Sequence, residues 1–402
     1  MALAMLALCF ICYGALRGMQ EGYAVFLLPL EQDFGWSRGE VSSVYSVTFF
    51  VLGIAGPVIG ILSDRWGPLR VAVAGVVIGA GAVVLASRAD ALWQFYLTIG
   101  VMMGIAVACV GFVPVTALLS RWFRERLNTA LAVAHSASGV GILIVGPSAQ
   151  MLIDWDGWRS AYLVLGACLA SLLSLFLLFR WDFALTGHPA YRAKPHRPAS
   201  RSTANEDAMD LNRALRTAAF WGMVFTFFCT SGAMFLVVLQ TPAFLVEAGY
   251  SPQAAAEAFG LIGLLIPAGM VGFGWLGDRI GRPRAVLISY ALTIAGIGCL
   301  ALLESDPSPV LLGLFIAMFG GTFGCRAPAM STIAAIVFRG PHFGRIYGFC
   351  TVGMGLGGAG GAWLGGLLHD MTGSYQLGLM LAMGFLALGA APFVLIRTVA
   401  KT

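Results

Sequence analysis

Residues 60–67 read Gly-Ile-Leu-Ser-Asp-Arg-Trp-Gly, and residues 274–281 read Gly-Trp-Leu-Gly-Asp-Arg-Ile-Gly. The two segments share the pattern Gly-x-x-x-Asp-Arg-x-Gly and begin 214 positions apart. A second pair of segments, Trp-Phe-Arg at 122–124 and Val-Phe-Arg at 337–339, repeats at an offset of 215. Two matches at nearly the same offset indicate that the chain contains a duplicated unit.

The composition around these motifs is that of a protein embedded in a lipid bilayer. Of 402 residues, 59% are hydrophobic and 11% are charged, and the mean hydropathy is +0.85. A soluble domain carries about 25% charged residues, so this chain has too little charge to cover a water-facing surface. The same composition excludes a nucleic-acid-binding protein, a collagen and a coiled coil.

Apolar runs of about 20 residues, the length that spans a bilayer, predict twelve membrane-spanning helices. Their approximate ranges are 2–31, 40–62, 69–87, 91–120, 128–153, 159–180, 217–246, 254–276, 285–303, 308–337, 343–368 and 375–397. The longest break, 181–216, is polar and predicts a linker. The predicted fold is an all-α polytopic membrane protein with a six-helix bundle at 1–180 and another at 217–402.

The placement of Lys and Arg predicts the orientation in the membrane. If the first helix starts in the cytoplasm, 19 of the 24 Lys and Arg residues fall on the cytoplasmic side. Only Arg38, Arg88 and Arg159 fall on the opposite side, and Arg17 and Arg326 lie inside predicted helices. Because basic residues concentrate in cytoplasmic loops, we expect both termini and the linker to be cytoplasmic.

Twelve helices, a basic central loop and the doubled loop motif resemble the major facilitator superfamily. The resemblance covers the whole chain and implies two bundles that rock around a site at the membrane midplane. It also implies that Asp64 and Arg65, with Asp278 and Arg279 in the second copy, latch neighbouring helix ends and set the inward/outward balance. A plain turn with a capping aspartate is the alternative.

Two further segments look like the monocarboxylate-porter and oxalate/formate-antiporter groups of that superfamily. They are residues 23–40, Tyr-Ala-Val-Phe-Leu-Leu-Pro-Leu-Glu-Gln-Asp-Phe-Gly-Trp-Ser-Arg-Gly-Glu, and residues 122–126 leading into Ala-Leu-Ala-Val-Ala at 130–134. The resemblance to such groups, which include many bacterial members, implies a multi-pass protein of a prokaryotic inner membrane. The chain departs from animal monocarboxylate carriers in having Glu21 where they place a lysine, and apolar residues at 262–267 where they place an arginine.

Arg17 and Arg326 are the main candidates for substrate binding. At 1.5 Å per residue, each lies roughly 20 Å along its predicted helix, near the middle of the bilayer. An arginine there costs about 2.5–3.5 kcal/mol on insertion scales, so it normally faces a wet cavity or a partner. Glu21 shares the helical face of Arg17, and one acid facing two arginines leaves a surplus positive charge. A small organic anion, most simply a monocarboxylate, would balance that charge.

We therefore expect a secondary transporter of a small organic anion, with Tyr13, Gln20 and Gln240 completing the binding site. Glu21 and His135 are candidates for proton coupling, since both can titrate. In the alternative reading, Arg17 and Glu21 form a structural pair, Arg326 binds backbone carbonyl groups or water, and the histidine is a satisfied interfacial residue.

The sequence predicts no catalytic residues, no metal and no cofactor. No Walker-type loop occurs, and the Gly-x-Gly-x-x-Gly segments at 272–277 and 353–358 do not follow a strand. Gly353, Gly357, Gly361 and Gly365 instead recur every four residues and predict close helix contact. Two other functions stay open, an exporter of drugs or amphiphilic compounds and a membrane sensor. The sparse glycines of the predicted fifth helix weaken the first, and the lack of an output domain weakens the second.

Overall fold

The computed structural model describes residues 2–123, 127–178, 211–305, 307–338 and 343–396. This part of the chain is helical, with no strand in it. Most of the predicted linker, residues 124–126 of the motif at 122–126, and Arg339 lie outside the described residues. The helices are α1 Ala2–Phe34, α2 Arg38–Trp66, α3 Pro68–Ala86, α4 Leu92–Phe95, α5 Met103–Cys109, α6 Phe112–Leu119, α7 Leu127–Ser171, α8 Leu173–Leu178, α9 Leu211–Ala214, α10 Ala218–Glu247, α11 Pro252–Ile280, α12 Arg282–Leu303, α13 Pro309–Phe315, α14 Arg326–Val337, α15 Phe343–Thr372 and α16 Gln376–Leu395, with π-helices at Tyr96–Met102 and Ile316–Gly320.

Nine helical segments of the described chain are long and apolar enough to cross a membrane. The predicted spans 128–153 and 159–180 are joined in α7, which is interrupted by non-helical backbone at Asp156 and Gly157. The second of these spans continues into α8. The predicted spans 91–120 and 308–337 are each broken after a π-helix. The all-helical, multi-pass fold is confirmed, and the number of twelve spans stays a prediction.

The two broken spans repeat the duplication seen in the sequence. The first resumes with α6 at Phe112, and the second resumes with α14 at Arg326. These two helix starts lie 214 positions apart, the same offset as the loop motif. The second break therefore places Arg326 at the start of α14, inside the predicted membrane span 308–337.

Each copy of the loop motif ends one helix and starts the next. Gly67 follows α2 with φ +87°, and Gly281 follows α11 with φ +92°. Each of these glycines donates its backbone N–H to the carbonyl oxygen four residues earlier, of Ser63 and Gly277 respectively. Because glycine adopts positive φ without a steric penalty, the last glycine of the motif is required by the turn.

Glycines bring the first and fifth predicted spans of each half into close contact. In the first half α1 packs on α7, and a Cβ atom on Gly18 would lie 2.6 Å from the carbonyl oxygen of Gly141. In the second half α10 packs on α15, and a Cβ atom on Gly361 would lie 2.0 Å from the carbonyl oxygen of Gly232. The close contact predicted for the glycines of α15 is confirmed, because Gly353, Gly357 and Gly365 also face the backbone of α10.

Two seams join the first half of the chain to the second. Along one seam α2 packs on α15, where a Cβ atom on Gly53 would lie 3.6 Å from the α-carbon of Gly355. Along the other seam α7 packs on α11, where a Cβ atom on Gly139 would lie 2.2 Å from the carbonyl oxygen of Gly263. Both seams are therefore backbone-to-backbone contacts.

In the described part of the chain, the seams extend to one end of the molecule. At the end that contains Arg38, which we call the Arg38 end, Gly366 of α15 touches the backbone of Arg38. Toward the opposite end, which contains Asp64 and which we call the Asp64 end, four glycines have no described atom within 4 Å of a built Cβ: Gly56, Gly272, Gly274 and Gly348. Among the described residues, the two halves thus meet at the Arg38 end, and open space lies beside these four glycines at the Asp64 end.

Candidate functional site

Arg326 lies at the start of α14 and is buried, with 3% of its surface exposed. Its Nε donates to Ser289 Oγ at 2.9 Å, and its Nη2 donates to the Ser289 carbonyl oxygen at 3.1 Å and to Thr293 Oγ1. Its guanidinium carbon lies 4.5 Å from the centroid of the Tyr290 ring. Each of these partners is neutral, so none of them balances the positive charge.

The remaining terminal nitrogen of Arg326 has the weakest partner. Its Nη1 lies 3.7 Å from the sulfur of Met234, and a thioether is a poor hydrogen-bond acceptor. Among the described residues, no carboxylate lies within 4.0 Å of this guanidinium group. A buried charge without an opposite charge costs several kcal/mol. The geometry therefore leaves one positive charge that an anion could balance.

The hydroxyl groups that hold Arg326 come from one face of α12. Ser289 and Thr293 are four residues apart, which places their side chains next to each other on a helix. Both hydroxyl groups donate to carbonyl oxygens of their own helix, at 2.7 Å in each case, so their lone pairs remain free for the guanidinium group. Sequence reasoning missed these two residues. Their four-residue spacing in an otherwise apolar helix is the sequence pattern that could have identified them.

The charge of Arg17, in contrast, is neutralised by its own helix. Its Nη2 lies 2.6 Å from Glu21 Oε1, and its Nη1 donates to Gln20 Oε1 at 2.6 Å. The hydroxyl of Tyr45 on α2 donates to the other carboxylate oxygen of Glu21 at 2.5 Å. The structure brings Arg17, Gln20 and Glu21 of α1 together, in the paired arrangement that the sequence left as an alternative.

Two other predicted residues lie beside this pair. The ring centroids of Tyr13 and His135 are 4.8 Å apart with perpendicular planes, and the ring of Phe112 lies 5.3 Å from that of His135. The Nε2 atom of His135 is buried and has no hydrogen-bond partner within the described part of the chain. His135 therefore packs between aromatic rings, and its role in proton coupling stays a prediction.

Gln240 does not hydrogen-bond to either arginine. Its Nε2 donates to Ser42 Oγ at 3.0 Å, which joins α10 of the second half to α2 of the first. Its Oε1 is buried and has no hydrogen-bond partner among the residues described. The structure therefore places this predicted binding residue at the contact between the halves.

A row of aromatic rings connects the two arginine clusters. The ring of Tyr45, which binds Glu21, lies 5.2 Å from the ring of Phe49. That ring lies 4.0 Å from the ring of Phe235, the residue after Met234. The clusters are separate in this conformation, but both border the contact between α2 and α10.

The predicted latch residues are exposed at the Asp64 end. Asp64, Arg65 and Asp278 form no ion pair with any other residue that the structure describes. Arg279 places its guanidinium carbon 4.1 Å from the centroid of the Trp275 ring. Within the described residues these side chains therefore form no ion-paired latch between neighbouring helix ends in this conformation, and their role stays a prediction.

Comparison with known proteins gives matches along the whole chain. The family model of the Major Facilitator Superfamily matches residues 6–325 and 266–402. The chain is 28% identical over 383 residues to monocarboxylate transporter 13 of Rattus norvegicus, covering 94% of this chain and 84% of the relative. It is 27% identical over 391 residues to monocarboxylate transporter 11 of Mus musculus, covering 94% and 83%.

Solved structures give the same fold at lower sequence identity. A bacterial homologue of the human lysosomal transporter Spinster, in an inward-facing and occupied conformation, matches with a TM-score of 0.72 and 15% identity, over 99% of this chain and 96% of that chain. The nucleoside transporter NupG matches with a TM-score of 0.74 and 16% identity, over 98% of each chain. At these identities the matches establish the fold alone.

Proposed function

Because this chain belongs to the major facilitator superfamily, we propose that it is a secondary transporter that carries a small organic anion, a monocarboxylate. The protein is a multi-pass membrane transporter and not an enzyme. The observation that carries the proposal is Arg326, a buried guanidinium group with only neutral partners among the residues described. A carboxylate is the natural counter-ion, since it accepts hydrogen bonds from a guanidinium group in a fixed geometry.

The charge balance favours a substrate with a single negative charge. Glu21 neutralises Arg17, so one net positive charge remains on the two arginine clusters. A dicarboxylate would bring a second negative charge into a low-dielectric interior without a partner, at a cost in free energy. The relatives named monocarboxylate transporters support the same class of substrate.

The carboxylate would bind at Nη1 of Arg326. The sulfur of Met234 is its only described partner there, and a methionine side chain changes rotamer easily. In this proposal Ser289 and Thr293 hold the guanidinium group still, and the carboxylate replaces the sulfur. Arg17, Tyr13, Gln20 and Gln240 would line the remainder of the site when the halves change their arrangement.

Alternating access between two bundles would expose this site to each side in turn. Contact between the halves at the Arg38 end, and the open space beside the described glycines at the Asp64 end, support an inward-facing state, if the termini are cytoplasmic as the basic residues predict. In this scheme twelve spans form bundles at 1–180 and 217–402, joined by the linker at 181–216. The residues Asp64, Arg65, Asp278 and Arg279 would engage when the Asp64 end closes. We propose the cell membrane as the location, which is the inner membrane in a prokaryote.

We also propose that transport is coupled to protons. Glu21 is the better candidate, because it is buried against both Arg17 and Tyr45. His135 packs between rings. An inward proton gradient should accelerate uptake by the wild type and by His135→Gln, but not by Glu21→Gln. Equal acceleration in Glu21→Gln would remove that residue from the coupling step.

Uptake into proteoliposomes tests the function directly. We expect counterflow of radiolabelled C2–C6 monocarboxylates, little counterflow of dicarboxylates, and none of organic cations. The variant Arg326→Ala should lose this activity. Arg88→Ala is the matched control, because it removes an exposed arginine outside the site.

The outcomes separate the alternatives. Counterflow of amphiphilic cations that is insensitive to Arg326→Ala would indicate an exporter of drugs. Binding of an anion without any counterflow would indicate a sensor. Either result would contradict the proposal.

A further inference from the structure

Arg38 is held by charged and polar groups from three other elements. The sequence places it in a loop outside the membrane, yet it is 2% exposed and begins α2. Its Nε and Nη2 donate to Glu31 Oε2 at 3.1 and 2.8 Å, and its Nη2 also donates to Glu247 Oε1 at 2.7 Å. Its Nη1 donates to the hydroxyl of Tyr375. Two of these three partners belong to the second half of the chain.

Asp370 of α15 holds the backbone at the same point. Its Oδ1 accepts a hydrogen bond from the N–H of Arg38 at 3.0 Å, and its Oδ2 accepts one from the N–H of Gly39 at 2.7 Å. The first N–H groups of a helix have no partner within the helix and carry the positive end of its dipole. A carboxylate of the second half therefore caps a helix of the first half.

Two glycines make this close approach possible. A Cβ atom on Gly39 would lie 2.9 Å from Asp370 Oδ2, and a Cβ atom on Gly366 would lie 2.6 Å from the carbonyl oxygen of Arg38. Side chains at either position would push α2 and α15 apart. The backbone is therefore shaped for this contact, and the charged groups do not meet by chance at a loose surface.

One partner of Arg38 lies in the same half of the chain, and the others lie in the opposite half. Glu31 lies on α1 of the first half, so it can stay paired with Arg38 when the halves separate. Glu247, Asp370 and Tyr375 lie in the second half, and separation would break their contacts with Arg38 and Gly39. His369 also lies in the second half, with its Nε2 3.4 Å from Glu247 Oε2, and would stay with Glu247.

We propose that Glu31, Arg38, Glu247, Asp370 and Tyr375, which we call the Arg38 clasp, form the gate that keeps the Arg38 end closed. The inference rests on the proposed function, since a gate is needed only if both ends open in turn. Because Glu31 keeps the charge of Arg38 paired in both states, opening the clasp exposes charged groups to water without leaving a bare guanidinium group in the protein. The clasp can therefore hold the end closed and still release it during transport.

Distances between spin labels test this gate without any substrate. One pair of labels, at positions 93 and 371, reports on the Arg38 end, and a second pair, at positions 61 and 271, reports on the Asp64 end. All four side chains are exposed, and the native cysteines are replaced. In the combined variant Asp370→Ala with Glu247→Gln, we expect the ratio of open to closed molecules at the Arg38 end to rise about tenfold. The distance at the Asp64 end should shorten in the same molecules.

A matched control removes two acids at the same end that do not cross between the halves. Asp154 accepts from Gln150 and Glu257 accepts from Gln253, each within its own helix. The variant Asp154→Ala with Glu257→Gln should leave both distance distributions unchanged. If the clasp variant unfolds, Asp370→Asn replaces it, and that milder change should shift the populations in the same direction.

The proposed gate would be overturned if the folded clasp variant gave the same distance distributions as the parent protein. An equal shift in the control variant would also overturn it. The measurement is independent of the cargo. If the clasp variant opens the Arg38 end while no organic anion is carried, the proposed substrate is wrong and the gate stands. If Arg326-dependent uptake is found while the distances do not change, only the gate is wrong.

Discussion

The two halves of the chain share the same helix contacts but differ in the charge of their interiors. In the first half α1 packs on α7 through Gly18 and Gly141, and in the second half α10 packs on α15 through Gly232 and Gly361. The first half then holds an arginine paired with a glutamate, whereas in the second half the described partners of Arg326 are all neutral. The duplicated fold is thus a scaffold, and the difference in charge is where a binding function can reside.

The difference also implies opposite responses to mutation. A buried ion pair is damaged when one partner is removed, because the other charge is then left alone. A buried charge without a partner is itself a cost to the folded state, so its removal relieves that cost. Substitutions at matched positions can therefore test this contrast between the two halves.

Breaking the pair in the first half should have the largest effect on stability. Glu21→Gln leaves the partly buried Arg17 without an opposite charge, and we expect the free energy of unfolding to fall by about 3 kcal/mol. Thermal or denaturant unfolding in detergent measures the change. The double variant Arg17→Met with Glu21→Leu removes both charges and should recover most of the loss. Equal destabilisation in the single and double variants would show that the pair contributes by packing alone.

Changing the shape of the charge in the second half should affect transport more than stability. Arg326→Lys keeps the positive charge but has a single nitrogen. If that nitrogen binds Ser289 and Thr293, no second nitrogen is left for the substrate. We expect the initial rate of monocarboxylate uptake to fall about 100-fold, which corresponds to ~2.7 kcal/mol. Arg88→Lys is the control for the substitution itself. Uptake within a factor of about three of wild type would show that any positive charge suffices.

The shared contacts should respond alike in the two halves. Gly18→Ala and Gly361→Ala each place a methyl group against the backbone of the opposing helix. We expect each to lower the free energy of unfolding by about 1–3 kcal/mol, as overpacking does. Gly360→Ala should have little effect, since no described atom lies within 4 Å of a Cβ built there. A loss in only one half would show that the α1–α7 and α10–α15 contacts are not equivalent.

Sequence patterns predicted the fold well because the fold depends on local and repeated features. Apolar run length, the glycine that ends each loop motif and the four-residue spacing of glycines in α15 are all visible in the chain. The breaks at Gly111 and Gly324 were not predicted, because a turn inside an apolar run leaves the hydropathy unchanged.

The candidate site was predicted only in part. The i, i+4 spacing correctly placed Arg17 beside Glu21, since helical geometry fixes that contact. The partners of Arg326 and of Arg38 come from helices distant in the sequence, and no local pattern specifies them. Arg38 in particular was counted as a loop residue because charge counting assigns a side of the membrane and says nothing of burial.

Removing the charge of Arg326, which has no described acidic partner, should change the stability least, but the sign of the change is informative. Arg326→Met leaves Ser289 and Thr293 still donating to their own helix, so no buried donor is left without an acceptor. Since replacement of buried charges by apolar groups is often neutral or stabilising, we expect the free energy of unfolding of the substrate-free protein to rise by about 1 kcal/mol.

A monocarboxylate at 100 times its Kd should stabilise the wild type by about 2.7 kcal/mol and should not stabilise this variant. The melting temperature with and without ligand measures both changes. A large loss of stability without ligand would mean that Arg326 holds the fold together, as the paired arginine does, and the contrast between the two halves would then disappear.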